Sequence, residues 1–321
     1  MLNRRVMILS AASASFALPV QGQDAFGAFV VGVKAEARRA GIREATLQGA
    51  FAGVQPNQRV IELDHRQPEF TLTWPEYRAR VLPDSRLQAA RENFARERGL
   101  LQQVEQRFGV DPLIIMGIWG IESAFGANKG NYRLIEALST LAWEGRRAAY
   151  FRGELINALR ILDQGDVTPA RLTGGYAGAM GQPQFMPSSY MRYAVDFDGD
   201  GRRDIWDTKA DVFGSIANYL AKNGWRRGEP WAQAVRLPGG FDGAGTGRDN
   251  RRSLGDWTHA GVRRGDGREL SRPETLGAIV VPDGAATGEG FMTFANFNVI
   301  RRYNPSDFYA LAVGLLGEAA A

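Results

Sequence analysis

The sequence has 321 residues, of which 44% are apolar, and it carries a formal net charge of +4. This length and apolar content allow a sizeable buried core, so an intrinsically disordered chain is excluded. The sequence has no cysteine, which excludes disulfides, thiolate zinc sites and a cysteine nucleophile. With only two histidines, a histidine metal centre is not expected, and because the basic residues are scattered, a nucleic-acid partner is not expected either.

The first 22 residues have the pattern of a secretory signal peptide. Arg4 and Arg5 precede an apolar stretch at residues 6–20, and small residues follow it. A membrane anchor is the alternative, but this stretch contains serines and a proline and is shorter than the ~20 residues that span a bilayer. We therefore predict that residues 1–22 are removed, and that the mature protein is exported, soluble and periplasmic, without a lipid anchor.

Helical periodicity dominates the chain up to residue 225. Phe26, Phe29 and Val33 recur at helical spacing, and several prolines then divide the chain, which predicts an N-terminal helical region at residues 23–84. A larger helical unit follows at residues 85–225, in which Asp111 and Pro112 begin an almost wholly apolar and therefore buried helix. The helices predicted for this unit cover residues 85–108, 113–123, 131–143, 148–163, 187–195 and 207–223.

The composition changes after Trp225. Glycine and arginine become frequent at residues 226–290, and short apolar runs at 234–237 and 276–281 alternate with turn sequences, which predicts a small β-rich subdomain. Residues 291–321 form a C-terminal segment that returns to the helical unit. Its first part, to residue 300, has a strand-like pattern, and its second part is helical from residue 305 to residue 316.

A glutamate ends the buried helix. Glu122 follows Ile118 and Ile121, so burial is expected to favour its protonated form and to raise its pKa, as the protonation of a glycosidic oxygen requires. The alternative is a glutamate that reaches water at the helix end or caps a neighbouring backbone group. Gly117, Gly120 and Gly126 favour the first interpretation, because glycines at a helix end allow another backbone or a ligand to approach closely.

A glycine-rich loop with aromatic and amide side chains follows at residues 174–190. Aromatic rings stack on sugar rings, and amide groups hydrogen-bond hydroxyl and N-acetyl groups, so the loop suits a glycan cleft. The alternative is a tight connection between two helices. The loop lacks the lysine and the glycine spacing of a phosphate-binding loop.

Residues 196–207 have the spacing of an EF-hand calcium loop. Acidic side chains occupy positions 1, 3, 5, 9 and 12, Gly201 occupies the sharp turn at position 6, and helical patterns flank the loop. Position 12 is an aspartate where a bidentate glutamate is usual, which favours weaker binding. The predicted ligands are the side chains of Asp196, Asp198, Asp200, Asp204 and Asp207 and the backbone carbonyl of Arg202.

Taken together, these motifs resemble the lytic murein transglycosylases of the membrane-bound B family. The resemblance rests on residues 122–126, the loop 177–190, the loop 196–207, the segment 218–225 and residues 296–304. It implies a mainly α (α+β) fold, with a lysozyme-like helical core, an N-terminal helical region, an EF-hand-like loop and a small β-containing subdomain. It also implies cleavage of the bond from N-acetylmuramic acid (MurNAc) to N-acetylglucosamine (GlcNAc) in peptidoglycan, with formation of a 1,6-anhydro end.

The resemblance also assigns roles to individual residues. Glu122 matches the single catalytic acid and base of the family, and Gly175 replaces a serine that in relatives helps to orient the substrate N-acetyl group. The positions that match or neighbour the glycan cleft are Gln184, Tyr303, Asn304 and Tyr309, and, within the glycine-rich loop, Tyr176 and Met180.

The sequence offers one buried carboxyl group and no convincing second one, which disfavours a two-carboxylate glycosidase. In the implied scheme Glu122 protonates the glycosidic oxygen, the substrate N-acetyl group stabilises the cationic carbon, and Glu122 then accepts the proton of the C6 hydroxyl. The chemistry requires no cofactor, and calcium is structural. A hydrolytic muramidase and a non-catalytic glycan-binding protein remain as alternatives. The expected partners are peptidoglycan glycan strands, with other cell-wall enzymes as further candidates.

Overall fold

The computed structural model describes residues 20–66, 72–284 and 287–321, so residues 1–19 of the predicted signal peptide lie outside the described residues. Within the described residues, no helix combines the length and the apolar character needed to cross a membrane. The helices are α1 (Val20–Arg39), α2 (Glu44–Ala50), α3 (Gln58–His65), α4 (Trp74–Val81), α5 (Asp84–Phe108), α6 (Pro112–Ser123), α7 (Leu134–Glu144), α8 (Ala148–Gln164), α9 (Pro187–Tyr193), α10 (Lys209–Lys222), α11 (Leu254–His259), α12 (Ala295–Tyr303) and α13 (Asp307–Glu318). The strands are β1 (Tyr132–Arg133), β2 (Thr173–Gly174), β3 (Ala232–Arg236), β4 (Arg252–Ser253), β5 (Arg263–Arg264), β6 (Leu276–Val280) and β7 (Glu289–Thr293).

The first three helices pack on the α7–α8 pair. Phe26, Val33 and Ala37 form the buried face of α1, and the ring of Phe26 meets Trp143 of α7 edge-on at 5.5 Å. The carboxylate of Asp64 in α3 is also buried and pairs with two arginines of the α7–α8 turn. Residues of the predicted N-terminal region therefore share a hydrophobic core with the larger helical unit.

The centre of the molecule is the contact between α6 and α13. Asp111 caps α6 by accepting the N–H of Leu113 at 2.8 Å, and Pro112 occupies the first helical position. A Cβ atom added at Gly117 would lie 2.1 Å from the carbonyl oxygen of Val313, so only glycine allows the two helices to approach this closely. The apolar sequence of α6 is explained by this contact and by α5 and α10, which pack on its other sides.

The β-containing part is a five-stranded antiparallel sheet with the strand order β4-β6-β7-β3-β5. A small core of its own includes Trp257, Ile279 and Met292. The sheet extends from Ala232 to Thr293, so its last strand passes residue 290, where the sequence placed the end of the subdomain.

The mainly α fold class with a small β-containing part is confirmed, and the predicted helices of residues 85–223 correspond to α5–α10. The prediction of a strand at residues 291–300 is wrong for most of its length. β7 ends at Thr293, and α12 begins at Ala295 and buries Phe297 and Ile300 on one face. An apolar run this short satisfies the period of a strand and that of a helix, and packing against the core decides between them.

Candidate active site

Glu122 lies in the last turn of α6, where the helix ends abruptly. Ala124 and Phe125 both have positive φ angles, of 48° and 59°, and the Ser123 hydroxyl accepts the N–H of Gly126 at 3.1 Å. Two successive non-glycine residues in this region are uncommon and cost conformational energy. Because the helix stops here, Glu122 keeps part of its surface exposed although the neighbouring Ser123 is fully buried.

Tyr309 contacts this carboxyl group from the first turn of α13. Its hydroxyl donates a hydrogen bond of 2.6 Å to Oε1 of Glu122, and the tyrosine is only 3% exposed. The two residues are 187 positions apart in the sequence. Their contact therefore depends on the close approach of α6 and α13 at Gly117.

The surroundings of Glu122 favour its neutral form. Burial raises the pKa of Glu122 to about 7, although the hydrogen bond from Tyr309 stabilises the carboxylate and opposes the shift. Burial and the charge of Glu122 together raise the pKa values of Tyr303 and Tyr309 well above the ordinary value, so both phenols stay protonated. Near neutral pH the site therefore holds a carboxyl group that can donate a proton and, once ionised, can accept one.

Within the described part of the chain, Glu122 is the only carboxylate whose charge raises the pKa values of both Tyr303 and Tyr309. The pKa of Glu122 itself is set by burial and by the hydrogen bond of Tyr309, with no contribution from another carboxylate of the described residues, so nothing there indicates the paired carboxyl groups that glycoside hydrolases commonly use. This geometry agrees with the expectation of a single acidic group.

The glycine-rich loop forms a compact turn beside this carboxyl group. Met180 pairs through its backbone with Gly174 and with Phe185, and its side chain is fully buried. Met180 therefore supports the loop from inside and has no exposed surface for a sugar. Tyr176 is partly exposed and packs edge-on against Tyr132 at 6.4 Å.

Gln184 sits in the tip of the same loop with a positive φ of 53°. Its Nε2 donates to the carbonyl oxygen of Gly181 at 2.7 Å, which leaves the side chain partly exposed and fixed in orientation. A Cβ atom added at Gly175 would lie 3.8 Å from Oε1 of Gln184, its nearest neighbour. A serine at position 175 would therefore fit beside Gln184 without displacing it.

Gln182 is a structural residue that the sequence analysis did not identify. Its Oε1 accepts the indole N–H of Trp119 at 2.7 Å, and its Nε2 donates to the carbonyl oxygen of Trp206 at 2.8 Å. The side chain is 6% exposed, so it joins α6, the glycine-rich loop and the acidic loop inside the core. The only sequence signal for Gln182 was its position in the same glycine-rich loop as Gln184. The sequence does not show which of the two glutamine side chains is buried.

The end of α12 faces the glycine-rich loop. Tyr303 donates a hydrogen bond of 2.7 Å from its hydroxyl to the carbonyl oxygen of Pro183, and its ring lies 5.8 Å from that of Phe185. Asn304 is exposed, and its Oδ1 accepts the N–H of Ser306 at 3.2 Å. The structure thus brings the α12–α13 turn, the glycine-rich loop and Glu122 to one region of the surface.

The acidic loop at residues 196–207 is folded around Asp196. The carboxylate of Asp196 accepts the N–H groups of Gly199, Asp200 and Gly201 at 2.7, 3.1 and 2.9 Å. Although some burial opposes it, these backbone bonds, led by those of Gly201 and Gly199, lower the pKa of Asp196. Asp200 accepts the N–H of Arg202, at 2.8 Å, and holds the next turn.

Oxygen atoms of Asp196, Asp198 and Asp211 all lie within 4.8 Å of one another, an arrangement that fits a cation. Asp211 is fully buried in α10, outside the 12-residue pattern, and was missed by the sequence analysis. Burial, together with the charges of Asp198 and Asp196, raises the pKa of Asp211 to about 6, while two backbone N–H donors oppose the shift. Hard oxygen ligands crowded in this way suit calcium.

Two other predicted ligands have different partners. The carboxylate of Asp207 pairs with Lys129 at 2.7 Å and with Arg171, and Asp204 also contacts Arg171, at 3.1 Å. Asp204 accepts the N–H groups of Trp206 and Asp207 as well. Of the predicted ligands, Asp196 and Asp198 therefore lie together with Asp211. Asp207, at position 12 of the loop, instead pairs with basic side chains.

The transglycosylase SLT domain family matches residues 25–318 of the chain. The chain is also 37% identical over 254 residues to the membrane-bound lytic murein transglycosylase B of Escherichia coli K12, an alignment that covers 77% of this chain and 67% of that protein. The chain belongs to this family, whose named members are lytic transglycosylases, enzymes that act on peptidoglycan.

Solved structures of two relatives have the same fold. SltB3 of Pseudomonas aeruginosa, in complex with NAG-anhNAM-pentapeptide, is 41% identical with a TM-score of 0.88, over 92% of this chain and 79% of that one. The Escherichia coli lytic transglycosylase Slt35 is 32% identical with a TM-score of 0.75, over 93% of each chain, and has been solved with bulgecin A and with calcium. These matches confirm the lysozyme-like transglycosylase fold that the sequence motifs implied.

Proposed function

We propose that this protein is a lytic transglycosylase that cleaves the MurNAc–GlcNAc bond of peptidoglycan and leaves a 1,6-anhydro end, with Glu122 as its catalytic acid and base. The observation that carries the proposal is the carboxyl group of Glu122, whose pKa burial raises to about 7 and which receives the hydrogen bond of Tyr309. Family membership supports the reaction class, and the geometry around Glu122 supports the choice of this residue.

In the first step, the neutral carboxyl of Glu122 protonates the glycosidic oxygen, and the bond from that oxygen to C1 of MurNAc breaks. The N-acetyl carbonyl of the same sugar stabilises the cationic carbon, because the described residues show one carboxyl group at the site and no second one for this task. In the second step, the carboxylate of Glu122 removes the proton of the C6 hydroxyl, and the C6 oxygen bonds to C1. Glu122 is then neutral again, and no water is consumed.

Tyr309 assists both steps in this proposal. Its hydroxyl donates to Oε1 of Glu122, so it orients the carboxyl group and stabilises the carboxylate that forms after the first step. Tyr303, Asn304, Gln184 and Tyr176 are proposed to line the glycan cleft, since all four are partly or fully exposed beside the catalytic carboxyl or on the adjoining loop. Met180 contributes only by supporting that loop from within.

We also propose a structural calcium ion held by Asp196, Asp198 and Asp211. A calcium ion would neutralise the crowded carboxylates and would fix the loop without taking part in the reaction. The acidic loop is joined to the glycine-rich loop through Gln182. The backbone N–H of Gln182 donates to the carbonyl oxygen of Ile205 at 2.9 Å, and its side-chain Nε2 donates to the carbonyl oxygen of Trp206. Removal of calcium would therefore loosen one wall of the cleft.

The proposed place of action is the periplasm, reached by export and removal of residues 1–22. The basic and apolar pattern of those residues supports export. The family acts on the cell wall, which agrees with this location. Mature protein that begins near Gln23 in a periplasmic fraction would support the proposal, and intact protein beginning at Met1 in washed membranes would contradict it.

The reaction is tested by the mass of the products released from purified sacculi. A transglycosylase releases muropeptides that are one water lighter than those of a hydrolytic muramidase and that lack a reducing MurNAc end. Products with the full hydrated mass would assign the same scaffold to hydrolysis instead. Binding without any product would indicate a glycan-binding protein.

A further inference from the structure

A second cavity, of about 610 Å³, lies between the small sheet and the beginning of α12. Its lining includes the exposed residues Arg226, Arg251 and Arg272. It also includes the apolar residues Leu254 and Phe294, which are 3% and 6% exposed. None of the residues proposed for catalysis or for the glycan cleft belongs to its lining. We call this cavity the arginine pocket.

The arginines of this pocket are poorly neutralised. Glu229 is the one carboxylate in the lining, and it pairs with Arg226 at 3.3 Å on the surface. Arg251 donates to the carbonyl oxygen of Leu276, at 3.2 Å, and in the described chain Arg272 forms no side-chain hydrogen bond or ion pair. The pocket therefore has a surplus of guanidinium donors, which suits carboxylate ligands.

The conformation of Arg272 also sets this position apart. Its φ angle is 59°, and the N–H of Thr275 donates to its carbonyl oxygen at 2.9 Å and closes the turn. Glycine or asparagine is the usual residue in this region, so an arginine here is held at a conformational cost.

The floor of the pocket narrows the class of ligand. Leu276, 49% exposed, presents most of the accessible apolar surface, and the nearly buried Leu254 and Phe294 form the base beneath it. A small inorganic anion would use the guanidinium groups and leave this floor uncovered. A short peptide with free carboxylates and small apolar side chains would use both.

The helix α12 connects the pocket with the proposed active site. Phe294, which lines the pocket, precedes α12, and Tyr303 is the last residue of the helix. Nine helical residues span about 13 Å, and an extended peptide of five residues reaches up to roughly 17 Å. A peptide attached to a sugar at the cleft is thus long enough to reach the pocket.

We propose that the arginine pocket binds the free carboxylates of a peptidoglycan peptide stem while the sugar to which the stem is attached occupies the glycan cleft. The inference rests on the proposed function. The arginine pocket would be a second recognition site, on the small β-containing part of the chain. This site would select glycan strands that bear peptide over bare strands.

The test measures the affinity of the wild type and of the double variant Arg251→Gln/Arg272→Gln by calorimetry. The probes are GlcNAc-anhydroMurNAc-pentapeptide, the same compound with its peptide carboxylates amidated, and the disaccharide without peptide. We expect the double variant to bind the carboxylate form about 10-fold more weakly and the other two probes as the wild type does. Arg268→Gln is the matched control, because Arg268 belongs to the same sheet region, pairs with Asp266 and lies outside the pocket lining.

Equal affinity of wild type and double variant for the carboxylate form, or equal affinity of the wild type for the carboxylate and amidated forms, would overturn the proposal. Melting curves verify that the double variant is folded, and each single variant is expected to give an intermediate loss of affinity. Cleavage of peptide-free glycan strands is measured in parallel and should be the same in the wild type and the double variant. Cleavage of intact sacculi by the wild type is the separate test of the proposed function, which fails if the sacculi remain uncut, whatever the calorimetry shows.

Discussion

Two carboxylates of this protein, Glu122 and Asp196, show how the same chemical group is adapted to opposite tasks. Glu122 stands at the end of a buried helix with one hydrogen-bond donor, and burial raises its pKa to about 7. Asp196 lies in a loop with three backbone N–H donors, and its pKa is lowered although burial opposes it. The number of donors and the access of water, rather than the residue type, separate a proton donor from a permanent anion.

The largest expected effect is that of Glu122→Gln. The amide keeps the shape of the side chain but can neither donate nor accept the proton, and general acid–base catalysis is commonly worth about 10² to 10⁴ in rate. Because one residue serves both steps, we expect turnover on sacculi to fall by at least the upper part of that range, with glycan binding and melting temperature retained.

Glu318→Gln is the control for this substitution. Burial also raises the pKa of Glu318, which accepts the indole N–H of Trp231 at 2.9 Å, but it lies at the opposite end of α13 from Tyr309. Its loss should leave turnover unchanged. An active Glu122→Gln enzyme would show that another carboxyl group carries the reaction.

The second effect concerns the acidic loop. Calcium at 100 times its Kd would add about 2.7 kcal/mol to the free energy of unfolding, which for a chain of this length corresponds to a rise in Tm of roughly 4 °C. Asp196→Asn and Asp198→Asn should each reduce this rise. Asp207→Asn should preserve most of it, because Asp207 pairs with Lys129 and Arg171.

Melting curves recorded in chelator and in millimolar calcium measure these shifts. If the Asp207 variant loses the shift and the Asp198 variant keeps it, the 12-residue loop pattern describes the site better than the observed geometry. A wild-type Tm that is the same under both conditions would argue against the calcium site altogether.

The third effect is that of Tyr309→Phe. The hydroxyl stabilises the carboxylate of Glu122, so its removal should slow turnover roughly 10-fold, as expected for a hydrogen bond to a charged group. The same hydrogen bond lowers the pKa of Glu122, so without it that pKa rises. Glu122 must be protonated for the first step, and the alkaline limb of the pH–rate profile should therefore move to higher pH.

Tyr150→Phe, a change at an exposed tyrosine on α8, is the control and should leave both rate and profile unaltered. A slower Tyr309→Phe enzyme with an unshifted alkaline limb would mean that Tyr309 supports only the packing of α13. A limb that moves to lower pH would contradict the assigned direction of its hydrogen bond.

The smallest effect is expected from Gly175→Ser. Because the nearest atom to an added Cβ is 3.8 Å away, at Gln184, the serine should fit with an unchanged Tm. By the resemblance to relatives, a serine at this position helps to orient the substrate N-acetyl group, so we expect a decrease in KM of a few-fold. An increase in KM with the same Tm would mean that the cleft is adapted to glycine.

The sequence predicted the local features and left the long-range ones open. The α6 helix followed from its Asp-Pro start and its apolar residues, and Glu122 followed from the motif at its end. The contact of Glu122 with Tyr309 crosses 187 positions and depends on a helix approach that no local pattern encodes. Asp211 lies outside the loop spacing, and the apolar pattern at residues 291–300 did not distinguish the helix α12 from a strand.

The central claim is that burial raises the pKa of Glu122 to about 7, so that a large fraction of its carboxyl group is protonated near neutral pH. The direct measurement is an NMR titration of protein labelled with ¹³C at the glutamate side-chain carboxyl carbons, in which the resonance of Glu122 is identified by its absence from the Glu122→Gln spectrum. The account predicts a titration midpoint at about 7. A midpoint near 4.5, the ordinary value for a glutamate, would contradict it.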